Sequence, residues 1–459
     1  MTSRVVVALL TILLSGCMVG PNYSRPEMDL PKDFGVAQSA APAPERWWMV
    51  FNDPVLDRFV DEALAANYDL KAAAERIEQA RAQVMIERAA LSPDVGVEAS
   101  LRRSRTSALA GQNIPPEFLE TTSHRLVLLF SWEVDFWGKF RRATEAARAQ
   151  LVASEAGRDA VRASLIGDVV RGYFALQALD RRLAAVERTL AGREKALELQ
   201  KMRLDAGVVS EFEFRQVESD LLAARALVPG IRQLRLRQEG ALALLFGRTP
   251  RAVYEARVER DAVIAPVAVE IPAGLPSDLL LRRPDLRQAE AQLHAANARI
   301  GVARAAYFPS IKLTGDYGGE SQSLGDLFKG PARTWSLAGD LLQPLFAGGQ
   351  IRGGVDLANA RTREAAELYR KAVANAFREV RDAIAAQSNL REASTAQRER
   401  EGALSRTLEL AQLRYDNGTI SLFEVLDTER TLLLSRLDAI DAERDRRNAI
   451  VDLYLALGA

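Results

Sequence analysis

The chain contains one long pattern twice, and this duplication constrains its fold more than any other feature. Arg203–Arg225 and Arg414–Arg436 share ten of 23 residues at an offset of 211. Asn67–Pro93 matches Arg283–Pro309 at an offset of 216, so the segment between the two blocks is five residues shorter in the second half. Two halves of one fold usually pack about a common axis, and in membrane proteins the function often lies on that axis.

The N-terminus has the pattern of an export signal. After Arg4, the apolar stretch Val5–Leu14 is too short for a bilayer, which needs roughly 20 residues, and the pattern is typical of a signal removed on export. Leu14-Ser15-Gly16-Cys17 resembles a bacterial lipobox. The resemblance implies that Cys17 becomes the first mature residue and carries N-palmitoyl and S-diacylglycerol groups; the alternative is a buried free thiol. By the same resemblance, Met18 rather than an aspartate in the next position favours sorting to the outer membrane.

Composition excludes several classes of function. The chain has 61 basic and 61 acidic residues and no formal net charge, which argues against nucleic acid as a partner, since that binding needs a positive surface. Cys17 is the only cysteine, so no disulfide framework exists. After residue 17 no apolar run approaches 18 residues, so any membrane-spanning part is expected to be a β-barrel.

Most of the chain has the composition of helix. Arg141–Ala206 and its repeat partner Arg352–Asn417 contain no proline, and each predicts a helix about 100 Å long, since a residue adds roughly 1.5 Å. Such lengths favour a tube or a stalk. Val208–Gly247 predicts a shorter helix that returns along the first. A coiled-coil seam is indicated by leucines seven residues apart, at Leu183, Leu190, Leu197 and Leu204.

Four segments alternate between apolar and polar residues over about ten positions, the length that a tilted membrane strand needs. The alternative is a pair of soluble hairpins with one buried face. Four strands cannot close a membrane barrel, and an open edge in lipid leaves backbone groups unpaired, so oligomerisation is expected. The predicted strands are Pro93–Arg105, Thr121–Trp132, Ile311–Tyr317 and Thr334–Leu341, with Gly- and Pro-rich loops at Thr106–Glu120 and Gln322–Ala332.

The lipobox, Gly20-Pro21-Asn22-Tyr23, Trp47-Trp48, Asp53-Pro54 and the two helix–hairpin–helix halves together resemble a TolC-like outer membrane factor. The similarity is to the lipoprotein (NodT/OprM-like) branch, which serves resistance–nodulation–division efflux pumps. It implies a mainly α fold with a membrane β-barrel part: a homotrimer with four strands per chain in a shared twelve-stranded barrel, above a long helical periplasmic tunnel. The implied partners are a periplasmic membrane fusion (adaptor) protein, an inner-membrane resistance–nodulation–division pump and outer-membrane lipid.

The resemblance also divides the chain into segments. They are a signal peptide (1–16), a lipid anchor with an equatorial segment (17–54), first-repeat helices (55–92), a first membrane hairpin (93–137), a first tunnel helix pair (138–247), an equatorial linker (248–282), a second-repeat helix (283–308), a second membrane hairpin (309–347), and a second tunnel helix pair with the C-terminus (348–459).

The turns of the two long helix pairs carry the candidate site. Gly207 and Gly418 suit left-handed caps at the ends of the long helices. Ser210 with Glu213, and Ser421 with Glu424, each fit a capping box that starts the return helix. Capping is therefore a structural alternative to any other role of these two glutamates. With the residues that follow them, the two glycines form hairpin tips where the family contacts its adaptor: Gly207, Val208, Gly418 and Thr419.

Asp427 is not explained by capping, and it lies three residues after Glu424 on one helix face. In the family, acids at these two positions line a closed periplasmic mouth. A tyrosine at the position of Tyr415 bonds an acid at the position of Glu213 and holds the mouth shut. Ile420 departs from the family pattern, because some members have a basic residue there.

Nothing in the sequence favours an enzyme. The two histidines, His124 and His294, show no ligand spacing, so no metal, cofactor or catalytic residue is predicted. The resulting interpretation is a passive outer-membrane exit duct for drugs or small molecules. Two alternatives are a duct for a type I protein-secretion system and a structural periplasmic coiled-coil lipoprotein.

Overall fold

The computed structural model describes residues 18–32, 44–109, 115, 119–255, 258, 260 and 279–458. The predicted signal peptide, Cys17 and much of the 248–282 linker lie outside them. The helices are α1 (Pro54–Ala66), α2 (Tyr68–Ala89), α3 (Lys139–Asp205), α4 (Glu211–Leu245), α5 (Pro250–Glu255), α6 (Leu279–Arg282), α7 (Pro284–Ala305), α8 (Gln350–Asp416) and α9 (Leu422–Ala456). The strands are β1 (Asp94–Arg105), β2 (Glu120–Glu133), β3 (Ser310–Ser321) and β4 (Arg333–Leu342).

The chain forms two compact units, each built from three stretches of sequence. The first comprises the described residues within Met1–Glu27, Arg76–Glu155 and Gln288–Arg370, and it contains the strands. The second comprises the described residues within Met28–Glu75, Ala156–Arg287 and Lys371–Ala459, and it contains the turns of both long helix pairs. None of the described helices is both long and apolar enough to cross a membrane.

The four predicted strands are confirmed, and they form one antiparallel sheet in the order β1-β2-β3-β4. Val97, Leu128, Tyr317 and Trp335 are paired across neighbouring strands as one row, and each side chain is at least half exposed. We call the side of the sheet that carries this row the apolar face. The alternative of two soluble hairpins with a buried face does not fit, because the hairpins share one sheet and this face is exposed.

The opposite side of the sheet, which we call the polar face, carries charged side chains. Arg125 on β2 lies between acids on both neighbouring strands, 3.8 Å from Glu98 and 3.4 Å from Asp316. Ser123 donates a 2.7 Å hydrogen bond to Glu320 on the same side. Because side chains alternate along a strand, the period-two pattern in the sequence fixes both faces at once.

The register of the sheet repeats with the sequence. Val97 pairs with Leu128 in the first hairpin. The offset of 216 takes Val97 to Leu313, and the offset of 211 takes Leu128 to Gly339. Leu313 and Gly339 are partners in the second hairpin. The duplication therefore extends to the individual strand pairs, and the two hairpins are equivalent.

The long helices are confirmed within two residues at either end. α3 and α8 have 67 residues each, and α4 and α9 have 35 each, so the helix pairs also obey the duplication. Pro229 lies inside α4 without ending it. The predicted leucine seam is confirmed in part. Leu183 is buried against α4 and α9, whereas Leu190, Leu197 and Leu204 are half-buried.

The Asp53-Pro54 motif organises the core of the second unit. The Asp53 carboxylate accepts hydrogen bonds from the backbone N–H groups of Val55 (3.0 Å) and Leu56 (3.3 Å) and so caps α1. It also accepts a 2.7 Å bond from the hydroxyl of Tyr173 on α3. Burial and this carboxylate raise the pKa of Tyr173. Asp53 thus joins the start of α1 to the long helix, beside the buried Trp47 and Trp48.

The Gly20-Pro21-Asn22-Tyr23 motif is held by a buried arginine of the first unit. Arg142 is 2% exposed and donates to the carbonyls of Val19 (3.2 Å) and Gly20 (3.3 Å) and to the Asn22 side chain (2.9 Å). Gly20 has a φ of +102°, and a Cβ there would lie 2.5 Å from the Gly301 Cα. The motif therefore fixes the first described residues against α7.

Candidate functional site at the helix-hairpin turns

The two turns of the long helix pairs have the same backbone. Gly207 and Gly418 both have a φ of +69°, in the left-handed region that favours glycine. The Val208 N–H donates to the Arg203 carbonyl and the Thr419 N–H to the Arg414 carbonyl, each at 2.9 Å. These bonds close the last helical turn, as the sequence predicts. Val208 is 72% exposed, and its contact with an adaptor remains a prediction.

Glu213 and Glu424 are both used as helix caps. The Ser210 N–H donates to Glu213 at 2.8 Å, and the Ser421 N–H donates to Glu424 at 3.3 Å. The first capping box is complete, because the Glu213 N–H also donates to the Ser210 hydroxyl at 3.3 Å, whereas the Glu424 N–H donates to the Ser421 carbonyl at 3.2 Å. The hydrogen bonds from the Ser210 backbone and hydroxyl lower the pKa of Glu213. Both glutamate side chains are therefore held in place at the tips by their caps, and their role in a gate remains a prediction.

Asp427 lies one turn beyond the cap of α9 and forms an ion pair with Arg430. Nearly half of its side chain is exposed. Sequence reasoning missed this arginine, although its spacing of three residues on one helix is a signal for such a pair. The predicted acidic cluster at the tip is thus partly neutralised by a neighbouring cation, and the net charge depends on both residues.

Tyr415 contacts α3 instead of its predicted partner. Its hydroxyl accepts hydrogen bonds from Arg203 Nη1 (3.2 Å) and Gln200 Nε2 (3.4 Å). No hydrogen bond joins Tyr415 to Glu213 in the part of the chain that the structure describes. The contact still links the two helix hairpins, because Arg203 ends α3 and Tyr415 ends α8. A phenol and a guanidinium form this link, where an acid was predicted.

A second row of residues with a seven-residue spacing lies beside these residues on α3. The spacing of the leucines alone does not indicate this row. Val186, Arg193 and Gln200 are spaced seven residues apart on α3, and all are at least 95% buried. Towards the turn, this row therefore changes from apolar to polar. A buried polar residue in such a seam fixes register at a cost in stability. The missed signal is the position of Arg193 three residues after Leu190.

Arg193 is incompletely satisfied. Its Nη1 donates to the Asp220 carbonyl at 2.5 Å, but Nε and Nη2 have no partner among the described residues. Glu429 on α9 lies near it, and burial raises the pKa of Glu429 although Arg193 opposes that shift. Unsatisfied buried groups cost about 1–3 kcal/mol each. This polar layer therefore packs less favourably than the apolar seam around Leu183.

Comparisons with known proteins decide the family. The family model described as "Outer membrane efflux protein" matches residues 59–248 and 275–459. The chain belongs to this family. The chain is 35% identical over 458 residues to the outer membrane protein OprJ of Pseudomonas aeruginosa, covering 98% of this chain and 94% of the relative. It is 32% identical to the cation efflux system protein CusC of Escherichia coli, covering 97% of each.

Solved structures give the same fold. The CmeC outer membrane channel of Campylobacter jejuni matches with a TM-score of 0.92 and 30% identity, over 96% of this chain and 95% of that chain. The open-state MtrE channel of Neisseria gonorrhoeae matches with a TM-score of 0.84 and 32% identity, over 96% and 98%. The predicted TolC-like fold is therefore confirmed. The protein is an efflux channel of the outer membrane.

Proposed function

We propose that three copies of the chain form one duct, and that the two free edges of the sheet are where the copies join. β1 and β4 each have a partner on one side only in the described chain. An unpaired strand edge exposes N–H and C=O groups, which is costly in lipid. Joining β4 of one copy to β1 of the next satisfies them, and three sheets give the twelve strands that the family resemblance implies.

The internal repeat specifies how these edges pair. Because β4 is equivalent to β2, and β1 to β3, the junction between copies should copy the β2–β3 junction within the chain. Phe130 pairs with Gly315 there. The two offsets convert this pair into Leu341 with Ala99 of the next copy. Both residues lie on the apolar face, so the junction keeps the two faces continuous; a slip of one residue would break this match.

The geometry supports a conducting duct better than a structural coiled-coil lipoprotein. A structural coiled-coil lipoprotein needs no sheet with one apolar and one polar face. We infer that the chain conducts and catalyses no reaction, since the relatives and solved structures are channels. A planar-bilayer recording tests conduction. A trimer that conducts no ions would favour the structural lipoprotein.

We propose small molecules as the cargo, delivered by a periplasmic adaptor protein and an inner-membrane pump of the resistance–nodulation–division class. Relatives at 32–33% identity are named for solvent, toluene and cation efflux, so relatives of this one chain are named for both apolar and charged cargoes. This pattern suggests that the duct is passive. Co-purification with an adaptor and such a pump is expected; co-purification with a type I protein exporter would favour the alternative.

We propose acylation of Cys17 as a tether, and the turns of the helix pairs as the adaptor contact and the gate. Cys17→Ser should lose lipid labelling yet leave some trimer in the outer membrane, because the apolar face of the sheet carries most of the insertion energy. Radiolabelled fatty acid that remains on the variant would show that another residue is acylated.

Engineered cysteines test the trimer and its register. Leu341→Cys with Ala99→Cys should give a covalent trimer under mild oxidation, because paired strands place Cα atoms at disulfide distance. Phe130→Cys with Gly315→Cys is the matched control, and it should close within one chain. Leu341→Cys with Ser100→Cys places the second thiol on the other face and should not cross-link. Cross-linking with Ser100 and not with Ala99 would show a different register.

A further inference from the structure

A cleft of about 370 Å³ opens on the apolar face, between the central strands and the β3–β4 loop. Val97 and Phe328, which line it, are 70% and 82% exposed. The part of the cleft formed by the sheet is apolar, and its rim at the loop carries cations. Contiguous exposed apolar surface marks a membrane or partner contact. The lining includes Val97, Leu128, Tyr317, Phe328, Lys329 and Arg333.

Arg333 is the unsatisfied cation of this cleft. It begins β4 on the apolar face, and its guanidinium group forms no hydrogen bond or ion pair with any described residue. Lys329 also lines the cleft, but Asp326 holds its ammonium group. Trp335, two residues along on the same face, is 72% exposed. Aromatic residues in such positions lie at the membrane–water boundary, so Arg333 is placed at the level of lipid headgroups.

The junction between copies adds further cations to this position. In the register set by the internal repeat, Trp335 pairs with Arg105 of the next copy. Arg333 then becomes the diagonal neighbour of that arginine, roughly 7–8 Å away on the same face. Arg105 and Arg103 share a single carboxylate, Glu120, at 3.3 and 3.0 Å. The side chains of Arg333, Arg103 and Arg105 therefore share one carboxylate, that of Glu120. Positive charges at this spacing repel each other unless an anion lies between them.

We propose that this seam binds a phosphorylated lipid of the outer leaflet. Its phosphate lies between Arg333 of one copy and Arg105 of the next, and one of its acyl chains occupies the cleft over Val97 and Leu128. Guanidinium groups bind phosphate strongly and with defined geometry. The inference rests on the trimer proposed above, since the seam is incomplete in a single chain. Three equivalent sites per trimer follow.

Native mass spectrometry of the detergent-solubilised full-length trimer, titrated with bisphosphorylated lipid A, tests the proposal. The wild-type trimer should bind up to three lipids. Arg333→Gln should weaken binding about tenfold, because a charge-assisted contact is lost. Arg105→Gln should also weaken it. Arg102→Gln is the matched control: it removes an exposed arginine that has no ion pair among the described residues, on the polar face of the same strand as Arg105, and should leave binding unchanged.

The outcomes separate this inference from the trimer itself. Equal lipid binding by wild-type and Arg333→Gln trimers would overturn the site. So would equal binding of a lipid A from which both phosphates have been removed, since the acyl chains alone would then suffice. A wild-type protein that forms no trimer, judged by mass and by the Leu341–Ala99 cross-link, would refute the assembly and with it the seam.

Discussion

The charged cluster around Arg447 on α9 depends on a single acidic residue. Arg447 is 4% exposed, and its guanidinium group lies 5.3 Å from the ring centre of Phe174. Glu443 accepts a 3.1 Å hydrogen bond from its Nε and also binds Arg446 and Ser394. The acid therefore compensates two arginines, and one of them, Arg447, is buried.

Glu443→Gln should therefore lower the stability of the folded chain by about 3 kcal/mol, the usual cost of breaking one side of a buried pair. The measurement is thermal or denaturant unfolding of the detergent-solubilised protein. Asp438→Asn, on the same helix as Glu443, is a suitable control, because it removes an exposed ion pair with Arg400 of α8 and should cost at most about 1 kcal/mol. Equal effects of the two substitutions would show that burial does not strengthen the Glu443 pair.

The same residue should also set part of the pH dependence of stability. Burial opposes ionisation of Glu443, but its bonds to Arg446 and Arg447 prevail and lower its pKa to about 2. Because the folded-state pKa is below the unfolded one, this contribution is complete above about pH 4.5 and is lost as the pH falls towards 2. Between pH 5 and 2.5, the free energy of unfolding should therefore change less in Glu443→Gln than in the wild-type protein. An equal change in the two proteins would contradict this.

At the scale of elements, the strands and long helices were predictable because each follows one simple period. The alternation of apolar and polar residues with a period of two indicates β1 to β4, because each strand separates a polar face from an apolar one. The absence of proline indicates both α3 and α8, and leucines seven residues apart further support α3. The partners of charged side chains were not predictable in the same way. Arg430, Arg203 and the buried Arg193 find their partners through spacing within a helix or packing between helices, which composition does not encode.

The polar part of the seam should make the hairpin turns easier to open. Gln200 is 4% exposed, and its Oε1 has no partner among the described residues. Gln200→Leu should extend the apolar seam, stabilise the closed packing by about 1 kcal/mol and reduce single-channel conductance. Lys201→Leu changes an exposed position of the same helix and should leave conductance unchanged. If Gln200→Leu raises conductance, the hydrogen bond to Tyr415 is the stronger of the two effects.

Asp427 and Arg430 should have opposite effects on ion selectivity. In a trimer they place three carboxylates and three guanidinium groups at the tips, and rings of charge commonly set selectivity in pores. Asp427→Asn should weaken cation selectivity, and Arg430→Gln should strengthen it by uncovering the acid. The reversal potential under a salt gradient measures both. An unchanged potential in both variants would show that this pair does not face the pore.

At the scale of the whole molecule, the sheet offers a test in which neighbouring residues act as each other's control. Leu128 lies on the apolar face and Leu129 on the polar face, and both are exposed in the single chain. In the proposed trimer, Leu128 faces lipid. An arginine facing lipid near mid-membrane costs about 2–4 kcal/mol, and a trimer incurs this three times. Leu128→Arg should therefore abolish most membrane-inserted trimer, whereas Leu129→Arg should largely retain it, as judged by trimer yield in outer-membrane fractions. The opposite order would mean that the polar face contacts lipid, and both the register between copies and the lipid seam at Arg333 would then have to be assigned anew.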